Sequence, residues 1–153
     1  MRSNQPLSPL TAHLGYWMRL VSNHVSHGFA RKLAERDVTV AEWVMLRQLY
    51  DEDALAPSRL AERMGMTRGA ITKLADRLIA KALVVRIDHP DDGRAQTLAL
   101  TKQGRRLVPT LAALADENDA AFFGHFTPEE RSRIEQFLKA IVDRHGLTDV
   151  PVS

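Results

Sequence analysis

The order of patterns in residues 57–101, PSRLAERMGMTRGAITKLADRLIAKALVVRIDHPDDGRAQTLALT, constrains this chain more than any other feature. Pro57 suits the first turn of a helix, where its missing N–H costs nothing, and Ala56 before it is only a weak cap. Leu60, Ala61 and Met64 recur at helical spacing. Gly65 supplies the backbone freedom of a sharp turn. Thr67 can then cap a second helix, in which Ile71, Leu74, Ala75, Leu78 and Ile79 form a core-facing stripe. The opposite face carries Gly69, Thr72, Lys73, Asp76 and Arg77, with Arg68 in the first turn. Such a helix buries one side and offers short polar and long basic side chains on the other.

Period-two patterns follow. Val85 and Ile87 alternate with Val84 and Arg86, and Thr97 and Ala99 with Leu98 and Leu100, so each run predicts a half-buried strand. DHPDDGRAQ between them is rich in turn formers, with Asp92 close enough to Arg94 to orient its guanidinium. Two helices around a glycine turn, then a hairpin with a basic tip, predict a winged helix-turn-helix. That arrangement sets one helix so that its polar face enters a DNA major groove, while an arginine at a loop tip suits a narrow minor groove.

Charge distribution agrees. Residues 55–106 hold eleven Lys and Arg against five Asp and Glu, whereas residues 107–153 hold four against eight. The basic excess falls on the segment that the pattern nominates for DNA. The chain of 153 residues contains no cysteine, which excludes disulfides, thiolate zinc sites and a thiol redox switch. No apolar run is long enough for a bilayer, and the opening MRSNQPLSPL lacks a secretory apolar core, so a cytoplasmic location and no membrane partner are expected.

The flanking segments read as a frame. Ser8-Pro9 predicts a helix start, running to about Glu35 with Leu10, Leu14, Trp17, Met18, Val21, Val25, Phe29 and Leu33 on one side. Thr39 and Glu42 make a capping box for a helix with Trp43, Leu46 and Leu49 inward, and Thr127 and Glu130 make another before Ile134, Phe137, Leu138, Ile141 and Val142. Thr101 can cap a long helix between them, carrying Leu107, Leu111, Leu114, Ala121 and Phe122, and His145-Gly146 marks the last helix end. The expected architecture is mostly α, a winged helix-turn-helix with a two-stranded β wing and N- and C-terminal dimerisation helices. Residues 8–35 and 101–146 would pair two copies and 39–100 would hold the DNA-binding region, within one domain spanning 1–153. A two-fold dimer would set its recognition helices about one DNA turn apart and call for a palindromic operator.

Nearly the whole chain, from about Leu10 to His145, resembles the MarR (multiple antibiotic resistance regulator) family of transcription factors. The most specific stretch is VVRIDHPDDGRAQTLALTKQGRRL, which looks like the family's wing: an Arg-ended strand, a D-x-R tip, then L-x-L-T and a Gly. The resemblance gives Arg94 the role of minor-groove reader with Asp92 beside it. It also places Thr67, Arg68, Gly69, Thr72 and Lys73 on the part of the recognition helix that meets base edges and phosphates. Two departures stand out: Ala82 where the family usually has Gly, and Gly93 where many members have a second Arg.

The expected contacts are therefore base reading by Thr72 and Lys73, phosphate contacts by Arg68, Arg77 and Arg86, and minor-groove entry by Arg94. Family members often bind a small aromatic acid or phenol between frame and winged helix, and Trp17, His24, Trp43 and Met45 are the expected lining here. No catalytic or cofactor motif is present in the sequence, and a non-enzymatic repressor of a palindromic operator is the reading. Two alternatives stay open: a metal-responsive repressor using His24, His27 and His145, and a winged-helix module that binds protein partners without DNA.

Overall fold

Threonine caps open four of the α-helices in the structure, a computed structural model that describes residues 6–89, 96–148 and 150–152. Thr39 opens α2 (Val40–Tyr50) by accepting the Glu42 N–H at 3.1 Å, while Glu42 accepts the Thr39 N–H at 3.0 Å. Thr67 opens α4 (Arg68–Ala80), Thr101 opens α5 (Lys102–Phe123), and the Thr127–Glu130 box opens α6 (Pro128–His145). The helix α3 (Pro57–Met64) starts with Pro57 and has no side-chain cap at Ala56, as expected. Gly65, at φ 62°, ends it in the left-handed region.

The first helix differs from expectation. Ser8-Pro9 leads into a short 3-10 turn at Leu10–Ala12, and α1 (Leu14–Ala34) begins only after His13, whose backbone is extended. The Trp17 indole N–H donates to the Thr11 carbonyl at 2.9 Å and so holds the turn against the helix.

A single apolar cluster joins the end of α1 to α2, α3, α4, α5 and the hairpin, with Leu33, Met45, Leu46, Leu49, Leu60 and Ile71 fully buried. Each such side chain contributes about 1.5–3 kcal/mol by leaving water. The core thus belongs to the winged helix, and the predicted stripes of α3 and α4 face it. Helix α5 crosses it, passing through Pro109 without ending. The long helices diverge from this core. Leu10 in the 3-10 turn and Leu14, Trp17, Met18 and Val21 along the first half of α1 remain exposed, and α6 buries no residue at all. None of the described helices is long and apolar enough to cross a membrane.

The hairpin pairs β1 (Val84–Ile87) with β2 (Thr97–Leu100), antiparallel, in the register Val84↔Leu100 and Arg86↔Leu98. Leu55 adds one further bridge to Leu98 through two backbone bonds of 2.8 and 2.9 Å, a link the sequence patterns did not suggest. The two faces of the hairpin differ in burial. Val84 and Leu98 are buried, so the face they share with Arg86 is turned to the helices. Val85 and Ile87 are on the other face and stay exposed, although Ala99 opposite Val85 is buried.

Candidate nucleic-acid interface

One polar face of α4 stands clear of the rest of the molecule. Arg68, Gly69, Thr72, Lys73, Asp76 and Arg77 are all exposed, while Ile71, Leu74, Ala75 and Leu78 on the reverse are buried. The Thr67 hydroxyl accepts the Ala70 N–H at 3.1 Å, which consumes its side chain as a cap. A Cβ added at Gly69 would meet nothing within 4 Å, so this turn offers open backbone. The Thr72 hydroxyl donates to the Arg68 carbonyl at 3.0 Å, leaving its oxygen lone pairs for an outside donor. Arg68, Lys73 and Arg77 make no ion pair among the described residues.

Arg86 is placed differently. Its guanidinium donates to the Asp76 carboxylate across the gap between β1 and α4. The strand register causes this, since Arg86 shares the helix-facing side of the ribbon. Asp92 and Arg94, the expected wing tip, lie outside the described residues. Where the described residues of the hairpin end, the His89 ring Nε2 is 2.9 Å from the Thr97 hydroxyl, and the Gln96 amide donates to Asp88.

The C-terminal end of α4 is anchored from three directions. Ala82 takes φ 60°, with the Ala82 N–H on the Ile79 carbonyl and the Leu83 N–H on the Leu78 carbonyl. This is the left-handed helix ending that normally belongs to glycine. The Thr101 hydroxyl donates to the Ala82 carbonyl at 2.7 Å and its N–H to the Leu83 carbonyl at 3.1 Å. Gly104 explains the Gly of the wing pattern: a Cβ there would fall 2.1 Å from the Leu83 oxygen.

Lys81 supplies the third tie. Its ammonium lies 2.9 Å from Glu42 Oε2 and 3.2 Å from Oε1, and it donates to the Asp37 carbonyl at 2.5 Å. Oε2 has only that ionic contact, without a well-aligned hydrogen bond. Burial alone would push the Glu42 carboxyl up, but Lys81 and the Thr39 N–H and hydroxyl outweigh it and hold its pKa below the ordinary value of 4.5. Lys81 therefore fastens the end of α4 to the start of α2, and its charge is largely spent inside the protein.

A cleft of about 250 Å³ opens between α1, α2 and α5, lined by Val25, Phe29, Trp43 and Asn118 among others. The Asn118 amide donates to the Val25 carbonyl at 3.1 Å, and Phe29 meets Trp43 edge to face. Of the four residues expected to line an effector site, only Trp43 is here. Met45 is two residues on, roughly on the opposite side of α2, and is fully buried in the core. Trp17 and His24 lie on exposed parts of α1 outside the cleft. Among the described residues, no group of three His, Asp or Glu side chains is placed to hold a metal ion, so His24, His27 and His145 do not converge.

Comparison with known proteins identifies this geometry. Residues 36–95, which take in α2, α3, α4 and β1 but stop short of β2, match the MarR family model. A Bacillus cereus protein named as an HTH-type transcriptional regulator is 29% identical, the match covering 85% of this chain and 88% of the relative. Over that region the chain is similar to the MarR family. The proteins of that family are transcriptional regulators. Its fold matches that of a mutant MarR from Escherichia coli solved in complex with operator DNA, at a TM-score of 0.73 and 24% identity, over 84% of this chain and 93% of that one. It also matches BpsR of Bordetella bronchiseptica, whose DNA binding is regulated by 6-hydroxynicotinic acid, at 0.75 and 23%, over 90% and 99%.

Proposed function

We propose that this chain is a MarR-family regulator, a dimeric, cytoplasmic repressor of a palindromic operator. The observation that carries the reading is the open face of α4, whose cations at Arg68, Lys73 and Arg77 are unpaired among the described residues while the helix end is fixed by Lys81, Thr101 and Ala82. A rigidly mounted helix with an uncommitted basic face matches what the major groove requires. Lys73 and Thr72 read base edges, each good bidentate contact being worth about 1–3 kcal/mol. Arg68 and Arg77 position the protein on phosphates, and Arg94 enters the minor groove with Asp92 steadying it.

A second copy covers the apolar residues that α1 and α6 leave in solvent, residues 8–35 and 101–146 forming the interface and 39–100 the DNA-binding region. Two-fold pairing then presents two recognition helices roughly 34 Å apart. The cleft at Trp43 and Phe29 accommodates a small aromatic or phenolic effector, whose entry between α1, α2 and α5 alters the spacing of the recognition helices. The E. coli and Bordetella relatives, one bound to operator DNA and one regulated by an aromatic acid, support both parts of the reading.

The test is a pair of substitutions assayed on sequences enriched from a random DNA pool. Lys73→Ala is expected to relax sequence preference, and Arg77→Ala to weaken all duplexes alike. An unchanged preference in Lys73→Ala would remove lysine from base reading. For the effector, a thermal-shift screen of phenolic acids should find compounds that raise stability and lower duplex affinity; a Trp43→Ala variant that responds equally would place the binding elsewhere.

A further inference from the structure

Asp76 is the one acidic residue on the polar face of α4, and DNA phosphates would repel it. The pair with Arg86 neutralises it. Both side chains are substantially exposed, so the pair adds little to folding stability. Its effect is on charge placement. If Arg86 left Asp76 for a phosphate, a bare carboxylate would remain on the face that meets the duplex. The strand register also works against departure, because Arg86 shares the inward side of the ribbon with Val84 and Leu98.

We propose that Asp76 withholds Arg86 from the DNA backbone, so that this arginine braces the wing against the recognition helix and makes no phosphate contact in the complex. Asp76 is then a specificity-determining residue. By removing one sequence-independent contact it lowers affinity for random DNA while leaving base reading by Thr72 and Lys73 intact. This rests on the DNA-binding reading above and goes beyond it.

Ethylation interference on a duplex enriched from a random pool tests the assignment, with wild type, Asp76→Ala and Asp76→Ala/Arg86→Ala compared. The expected result is that Asp76→Ala requires one phosphate that wild type does not, and that the double variant returns to the wild-type pattern. On random-sequence duplex, Asp76→Ala should bind more tightly at low salt. The slope of log affinity against log salt should steepen by about 0.9, so a fourfold rise in salt costs it about 3-fold more affinity than wild type. Two results overturn the proposal: a phosphate needed by wild type and lost in the double variant, or identical patterns in all three proteins. A wild-type protein that retains no duplex would instead refute the DNA-binding reading itself.

Discussion

Ala82 offers a perturbation whose size can be worked from backbone geometry. Its φ of 60° lies in the left-handed region, and it ends α4 with its N–H on the Ile79 carbonyl while the following Leu83 N–H reaches the Leu78 carbonyl. For a residue with a Cβ this conformation costs about 1–2 kcal/mol. Glycine would remove that cost but give back about 0.4–1 kcal/mol through the larger entropy of its unfolded chain. The Ala82 side chain is exposed, so truncation loses no packing. Ala82→Gly should therefore stabilise the protein by about 0.5–1 kcal/mol. For a chain of this length that raises Tm by about 1–4 °C. Calorimetry at matched protein concentration checks it, since the dissociation of a dimer would make Tm depend on concentration. Gly65→Ala, at φ 62°, is the mirror experiment and should lose about 1 kcal/mol. A neutral or destabilising Ala82→Gly would show that the helix ending is not strained by alanine.

Gly104→Ala should be costly, because the new Cβ would press on a backbone oxygen that cannot rotate away; a loss of about 1–3 kcal/mol in urea unfolding is expected. Glu42→Gln keeps the hydrogen bonds to Thr39 but drops the charge facing Lys81, and should cost about 1.5–3 kcal/mol at neutral pH. Because the Glu42 pKa is depressed on folding, its contribution is present above pH 4.5 and is lost as pH falls through the folded value. Acid titration of stability should accordingly be flatter in Glu42→Gln than in wild type. Ile141→Asp on the exposed stripe of α6 should shift sedimentation from dimer to monomer; an unaltered profile would place the interface elsewhere.

Local chemistry was readable from the residues, and long-range pairing was not. A cap depends on residues three apart, so Thr39, Thr67, Thr101 and Thr127 announced four helix starts that the structure reproduces. The stripe of α4 likewise fixed which of its faces is open. Lys81 counted as one more basic residue toward DNA, because nothing near it reveals Glu42, 39 positions earlier. The Arg86–Asp76 pair was hidden for a similar reason: it depends on which side of the ribbon is inward, and alternation alone allows either. Met45 and Trp43 show the limit of naming a helix without its faces, since two positions along α2 separate core from cleft. Ser8-Pro9 suggested a helix start, but without a cap bond the chain made a 3-10 turn first.

Selection of bound sequences from a random duplex pool by the purified protein tests the central claim most directly. The account predicts a palindrome with half-sites centred about one helical turn apart, roughly 34 Å, each matched to one recognition helix. Enrichment of a single asymmetric half-site, or of no sequence at low salt, would contradict it.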